Sequence, residues 1–126
     1  MTLQELGTLV EYKLPVKMAI LNNGYLGMVR QWQDMFYQGN KSFVRMLQPD
    51  FVKLAEAYGI TAMRITDKAD VDDAIRKANA HDGPVLLEFV VTEDENCFPM
   101  VPPGASLQET VDQPPMLQRD SQAVKN

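Results

Sequence analysis

Three short, largely apolar runs, residues 16–21, 60–65 and 85–91, alternate with stretches whose apolar residues recur at helical spacing, and this alternation limits the fold more than any other feature of the chain. The run Val85-Leu86-Leu87-Glu88-Phe89-Val90-Val91 is the strongest strand, rich in branched and aromatic side chains and preceded by Gly83-Pro84. Val16-Lys17-Met18-Ala19-Ile20-Leu21 follows a proline and ends in Asn22-Asn23-Gly24, which predicts a parallel strand, central in its sheet and buried on both faces. The order helix, strand, helix, helix, strand, helix, strand predicts an α/β fold: a partial open parallel sheet with flanking helices and right-handed crossovers. A sheet usually has about four or more strands, so three imply a missing one at the amino end.

The helices follow from caps and periodicity. Thr2 and Glu5 have capping-box spacing ahead of Leu3, Leu6, Leu9 and Val10, which predicts a helix over 3–12. From Leu26 to Tyr37 a turn of 100° per residue gathers Met28, Val29, Trp32, Met35 and Phe36 into one stripe that periodicity reads as core, with Arg30 on the solvent side. Asp50 is placed to cap a helix carrying Phe51, Leu54, Ala55 and Tyr58 and ended by Gly59. Asp67 is placed to cap another, with Val71, Ala74, Ile75 and Ala78 on its apolar face. After Val91 the composition turns to acids, amides and prolines, among them Pro102-Pro103-Gly104 and Pro114-Pro115. The chain thus divides into an α/β part, 1–91, and an irregular carboxyl-terminal segment, 92–126.

Several functions are disfavoured. A net charge of −5 without a basic stripe argues against nucleic acid. One cysteine, Cys97, makes neither an internal disulfide nor a zinc motif, and without a basic flank it reads as an inert thiol in a reducing compartment. No apolar run approaches the roughly 20 residues that cross a bilayer, and Met1-Thr2-Leu3-Gln4-Glu5 lacks the basic start of a signal peptide, so no membrane partner is expected. His81 precedes an Asp-Gly-Pro turn and reads as a solvated loop residue, and Glu93, Asp94 and Glu95 as a solvated acidic face.

The candidate site is the turn Asn22-Asn23-Gly24-Tyr25-Leu26-Gly27-Met28. It follows a strand's carboxyl end, where open α/β sheets bind ligands. Amide and carbonyl oxygens suit Mg²⁺, which commonly bridges to a phosphorylated ligand, although Asn-Asn-Gly also serves as a plain turn.

Asn22-Asn23 followed by Gly27-Met28-Val29-Arg30-Gln31-Trp32-Gln33 resembles the large catalytic subunit of the acetohydroxyacid (acetolactate) synthases. The likeness extends through residues 49–57, Gly83-Pro84-Val85-Leu86-Leu87-Glu88 and Pro99-Met100-Val101-Pro102, nearly the whole chain. It implies the carboxyl-terminal part of a domain that binds thiamine diphosphate through Mg²⁺. The family's metal motif opens with Gly-Asp-Gly and closes at Asn-Asn. The opening half would lie just upstream of Met1, which makes the chain a fragment begun at an internal methionine.

Further residue roles come with the resemblance. Asn23 would give Mg²⁺ a side-chain oxygen and Tyr25 its main-chain carbonyl, with Gly24 and Gly27 shaping a cofactor-binding turn that runs from Asn22 through Leu26 to Met28. Met28, Val29 and Trp32 would line the substrate channel, and Met100 to Gly104 would belong to a segment closing over it. No catalytic side chain is expected in the fragment. The parent would decarboxylate pyruvate and join its two-carbon unit to a second 2-ketoacid in branched-chain amino-acid synthesis. Its other parts would be the rest of the catalytic subunit, a second catalytic subunit, a regulatory subunit, and an FAD that this segment does not bind. The compartment would be the cytoplasm, or a plastid in a plant. The alternatives are a non-catalytic interaction or ligand-binding module, and a fragment of another thiamine-diphosphate 2-ketoacid decarboxylase or carboligase.

Overall fold

The computed structural model describes residues 2–112. Pro114-Pro115 and the rest of the segment after 112 lie outside the described residues. The described residues form two compact units, 2–24 with 47–92, and 25–46 with 93–112.

The first unit is the α/β part. Its elements are α1 (Glu5–Glu11), β1 (Lys17–Asn22), a helix called α3 (Phe51–Ala57), β2 (Thr61–Ile65), a 3₁₀ turn (Lys68–Asp70), α4 (Val71–Ala80) and β3 (Val85–Val90), while α2 (Gly27–Phe36) belongs to the second unit. The strands form one parallel sheet in the order β1-β3-β2, with Ile20 and Arg64 both in register with Glu88. This is the open parallel sheet with flanking helices that the alternation predicts.

Side-chain alternation along β3 divides the core. Val85 and Leu87 point with Ile65 towards Ala74 and Ala78 of α4, while Leu86 points to the other side, against Leu6 of α1 and Ala55 of α3. The two alanines let α4 lie close to the strands, because a larger side chain there would hold the helix away.

The central position belongs to β3, and β1 lies at an edge. Nor is β1 buried on both faces. Met18 and Ile20 pack in the α1 and α3 cluster, but Leu21, on the face covered elsewhere by α4, is 72% exposed. An apolar run reports what a strand can bury; its place in the sheet is decided by which neighbours pair with it, and these are remote in sequence.

The caps follow local chemistry in two places of three. Asp50 Oδ1 accepts from the Lys53 amide at the start of α3, and Asp67 Oδ1 from that of Ala69 at the 3₁₀ turn leading into α4. Gly59, at φ +78°, ends α3 as its position predicts. The expected Thr2–Glu5 box is not formed: Glu5 donates its amide to the Thr2 carbonyl, 3.1 Å, and α1 begins later, after Gln4.

The second unit holds α2 and two strand-like bridges. Tyr25 pairs antiparallel with Arg45, and the Leu26 amide donates to the Val44 carbonyl at 2.8 Å. Met100 and Val111 exchange two main-chain bonds, 2.9 and 2.8 Å, around a loop whose 3₁₀ turn, Leu107–Glu109, is closed by a Ser106–Glu109 capping box. Residues 93–112 thus lack long elements, as expected of the irregular segment, yet are tied by specific bonds.

Two readings of α2 are corrected. Its buried side chains are Arg30 and Gln31, 2% and 1% exposed, whereas Met28, Val29 and Phe36 of the predicted core stripe are exposed. Helical periodicity counts arginine and glutamine as outward; here both are turned inward, Arg30 to side-chain and main-chain oxygens and Gln31 to main-chain groups of a distant segment.

Candidate functional site

The first half of the predicted turn ends β1. Asn22 Oδ1 accepts the Gly24 amide at 3.0 Å, closing an Asx turn, and Gly24 takes φ +69°, which favours glycine. The other end of the same amide, Asn22 Nδ2, donates to Glu88 Oε1 at 2.8 Å. Asn23 is half-buried between these two fixed neighbours.

Glu88 is 2% exposed, in the middle of the most apolar strand. Such a carboxylate needs partners, and it has them: Asn22 on one oxygen and Arg64 Nε, 2.8 Å, on the other. Arg64 also reaches Asp50 Oδ1, 2.8 Å, so a polar row runs from the end of β1 through β3 and β2 to the cap of α3. The hydrogen bond to Glu88, followed by that to Asp50, raises the Arg64 pKa above its ordinary value. The Lys53 main-chain N–H, with Arg64 second, holds Asp50 below the usual carboxylate range. Neither Glu88 nor Arg64 was singled out by motif reasoning. The signal was present: a lone glutamate inside an apolar strand demands a buried partner.

The second half of the turn opens the other unit. Two guanidinium groups, those of Arg30 and Arg45, each lie over the Tyr25 ring 5.9 Å from its centre. Leu26 donates to Val44 as described, and Gly27 is the first residue of α2. The exposed side of α2 carries Met28, Val29 and Trp32, which with Gln33 and Tyr37 line an open hollow of about 400 Å³. Trp32 meets Phe36 edge to face at 5.5 Å.

Arg30 and Gln31 occupy the opposite side of α2. Arg30 donates to Asp94 Oδ1, to the Glu95 carbonyl and to Asn96 Oδ1 at 3.3, 3.0 and 2.8 Å. Gln31 accepts the Cys97 amide at 2.7 Å and donates to the Cys97 carbonyl at 2.9 Å, as a neighbouring strand would. Its Nε2 also lies 3.0 Å from the Met100 sulfur. Arg30 is therefore no solvent-facing helix residue, while Glu93, Asp94 and Glu95 are exposed, Asp94 turning one oxygen to Arg30.

His81 accepts the Gly83 amide on Nδ1 in an exposed loop, and Cys97 is a free exposed thiol. Among the described residues no three His, Cys, Asp or Glu side chains converge as a metal cluster, and no helix is long and apolar enough to cross a membrane. The donors at the turn are amide and carbonyl oxygens. They fit a hard cation, as part of an octahedral set to be completed by water, phosphate or carboxylate.

Residues 1–89 match the family described as thiamine pyrophosphate enzyme, C-terminal TPP binding domain. The acetolactate synthase large subunits of Porphyra purpurea and Pyropia yezoensis are 50% and 53% identical over 108 residues, 84% of this chain and 18% of theirs. The acetolactate synthase isozyme 2 large subunit of Escherichia coli (strain K12) is 45% identical over 113 residues, 89% of this chain and 21% of its own. Among solved structures, the thiamine diphosphate-dependent 4-hydroxybenzoylformate decarboxylase of Rhodococcus jostii RHA1 matches with a TM-score of 0.66 at 33% identity, covering 75% of this chain and 18% of that one. The chain thus spans about a fifth of the length of these relatives.

Proposed function

Since this chain belongs to the thiamine pyrophosphate enzymes and matches their C-terminal TPP binding domain over residues 1–89, we propose that it serves as the diphosphate-holding part of an acetolactate synthase catalytic subunit. The observation that carries this reading is the 50–53% identity to acetolactate synthase large subunits over 84% of the chain.

On this reading Asn23 would offer a side-chain oxygen and Tyr25 a main-chain carbonyl to Mg²⁺, which would supply the positive charge for binding a diphosphate. Asn22 and Gly24 shape the turn, with Leu26, Gly27 and Met28 continuing it. Met28, Val29 and Trp32 give the 2-ketoacid substrates an apolar wall that excludes water. Thiamine diphosphate, when bound, supplies the carbon–carbon chemistry that removes CO₂ from pyruvate and joins the remaining two-carbon unit to a second 2-ketoacid. The protein's part is to hold, orient and shield.

Activity is proposed for the assembled catalytic subunit, not for these 126 residues by themselves, because Gly-Asp-Gly occurs nowhere in the sequence. The proposal extends to a second catalytic subunit, a regulatory subunit, an FAD bound outside this segment, and a cytoplasmic or plastid setting. The residues from 92 onward are proposed as a separate segment in which Met100 to Gly104 help to close the channel.

Acetolactate formation from pyruvate by the full assembly, dependent on Mg²⁺ and thiamine diphosphate, is the expected result. An assembly that binds neither, or that decarboxylates an aromatic 2-ketoacid without forming acetolactate, contradicts it. The latter outcome would favour the second reading, a decarboxylase like the one named for the Rhodococcus structure.

A further inference from the structure

We propose that Glu88 is a positioning residue for the turn that bears Asn23, acting through the side-chain amide of Asn22. The inference rests on the cofactor reading for its functional consequence but on the geometry alone for its physical content.

The carboxylate is buried and accepts on both oxygens, from Asn22 Nδ2 and from Arg64 Nε, each at 2.8 Å. An ionised carboxylate accepts and does not donate, so the Asn22 amide must present its NH₂ end to Glu88. Its oxygen is thereby left facing the Gly24 amide, a donor, at 3.0 Å. The orientation of one amide is thus set from below by Glu88 and read out above as a closed Asx turn. Arg64 Nε fixes the carboxylate's other oxygen, and Asp50 holds Arg64 from the cap of α3. A residue two positions before Asn22's register partner Val90 thus decides the backbone path on which Asn23 sits.

Glu88→Gln makes the logic testable. If the glutamine turns its oxygen to Arg64, its NH₂ meets the Asn22 NH₂, donor against donor. Asn22 then turns over, and its own NH₂ opposes the Gly24 N–H. Adding Asn22→Asp removes the conflict, because the aspartate accepts from both the glutamine and Gly24.

The experiment measures hydrogen exchange at the Gly24 amide by mass spectrometry on the full chain, beside titration of the assembled catalytic subunit with Mg²⁺ and thiamine diphosphate. In Glu88→Gln, exchange should rise about tenfold and affinity fall about tenfold, the equivalent of one lost hydrogen bond. The double variant should bring both back to within about threefold of the parent. Unchanged Gly24 exchange in Glu88→Gln, or a double variant no better than the single one, overturns the proposal. If Glu88→Gln does not fold, the double variant decides: parental protection of Gly24 supports the proposal and unprotected exchange overturns it. Asn22→Ala, at a half-buried strand end, gives an independent check, since it too must raise Gly24 exchange about tenfold and unchanged exchange overturns the proposal. Gly24 exchange that follows this pattern while the assembled subunit binds no thiamine diphosphate upholds the positioning role and defeats the cofactor reading. Cofactor binding with a Gly24 amide indifferent to Glu88 does the reverse.

Discussion

Gly24 sits at φ +69° with open space where a Cβ would project. Gly24→Ala therefore adds no clash, only the conformational penalty of a left-handed turn, about 1 kcal/mol. A melting point lowered by a few degrees is expected, and an unchanged or raised one contradicts the turn geometry. Residue identity at this turn was legible in the sequence because Asn and Gly have strong local preferences. The residue beneath it was not: Glu88 meets Asn22 and Arg64 across 66 and 24 positions of chain, separations that local periodicity does not carry.

At the scale of elements, α2 and α3 are held by opposite devices. Helix α3 starts on Asp50, whose carboxyl is kept below its ordinary value of 3.8 by the Lys53 amide and then by Arg64. A lowered folded value means that this contribution is fully present above 3.8 and is lost as the pH falls through the folded value. Asp50→Asn, which keeps a capping oxygen, should flatten the acid limb of the urea midpoint between pH 5 and pH 2, while an unaltered limb contradicts the role of the cap's charge. Helix α2 is instead anchored by Gln31, whose carboxamide satisfies both main-chain groups of Cys97. Gln31→Ala should cost about 1–2 kcal/mol and speed exchange of the Cys97 amide about tenfold. Retained protection there would show that the pairing contributes nothing. The existence and type of α2 followed from its sequence, but its orientation did not. The pattern Met28, Val29, Trp32, Phe36 reads as core, whereas Arg30 and Gln31 are buried because segment 94–97 offers them acceptors and a donor. A stripe shows that a helix is amphipathic; which face is covered depends on what the rest of the chain brings to it.

Across the whole molecule, the alternation of apolar runs and helical stretches was enough to anticipate a parallel sheet, and the structure realises it in the order β1-β3-β2. Strand order and the exposed face of β1 were hidden, since pairing is chosen between segments far apart in sequence. Family membership shows a C-terminal TPP binding domain, and on it we propose that the turn is half of a diphosphate and Mg²⁺ clamp. That clamp is the central claim, and Asn23 is the residue on which it turns. Isothermal titration of the assembled catalytic subunit with thiamine diphosphate at saturating Mg²⁺, parent against Asn23→Ala, tests it most directly. The account predicts saturable, Mg²⁺-dependent binding by the parent and at least about tenfold weaker binding by the variant, with its melting point held close to the parent's. Equal affinity in the two proteins, or binding indifferent to Mg²⁺, would contradict it.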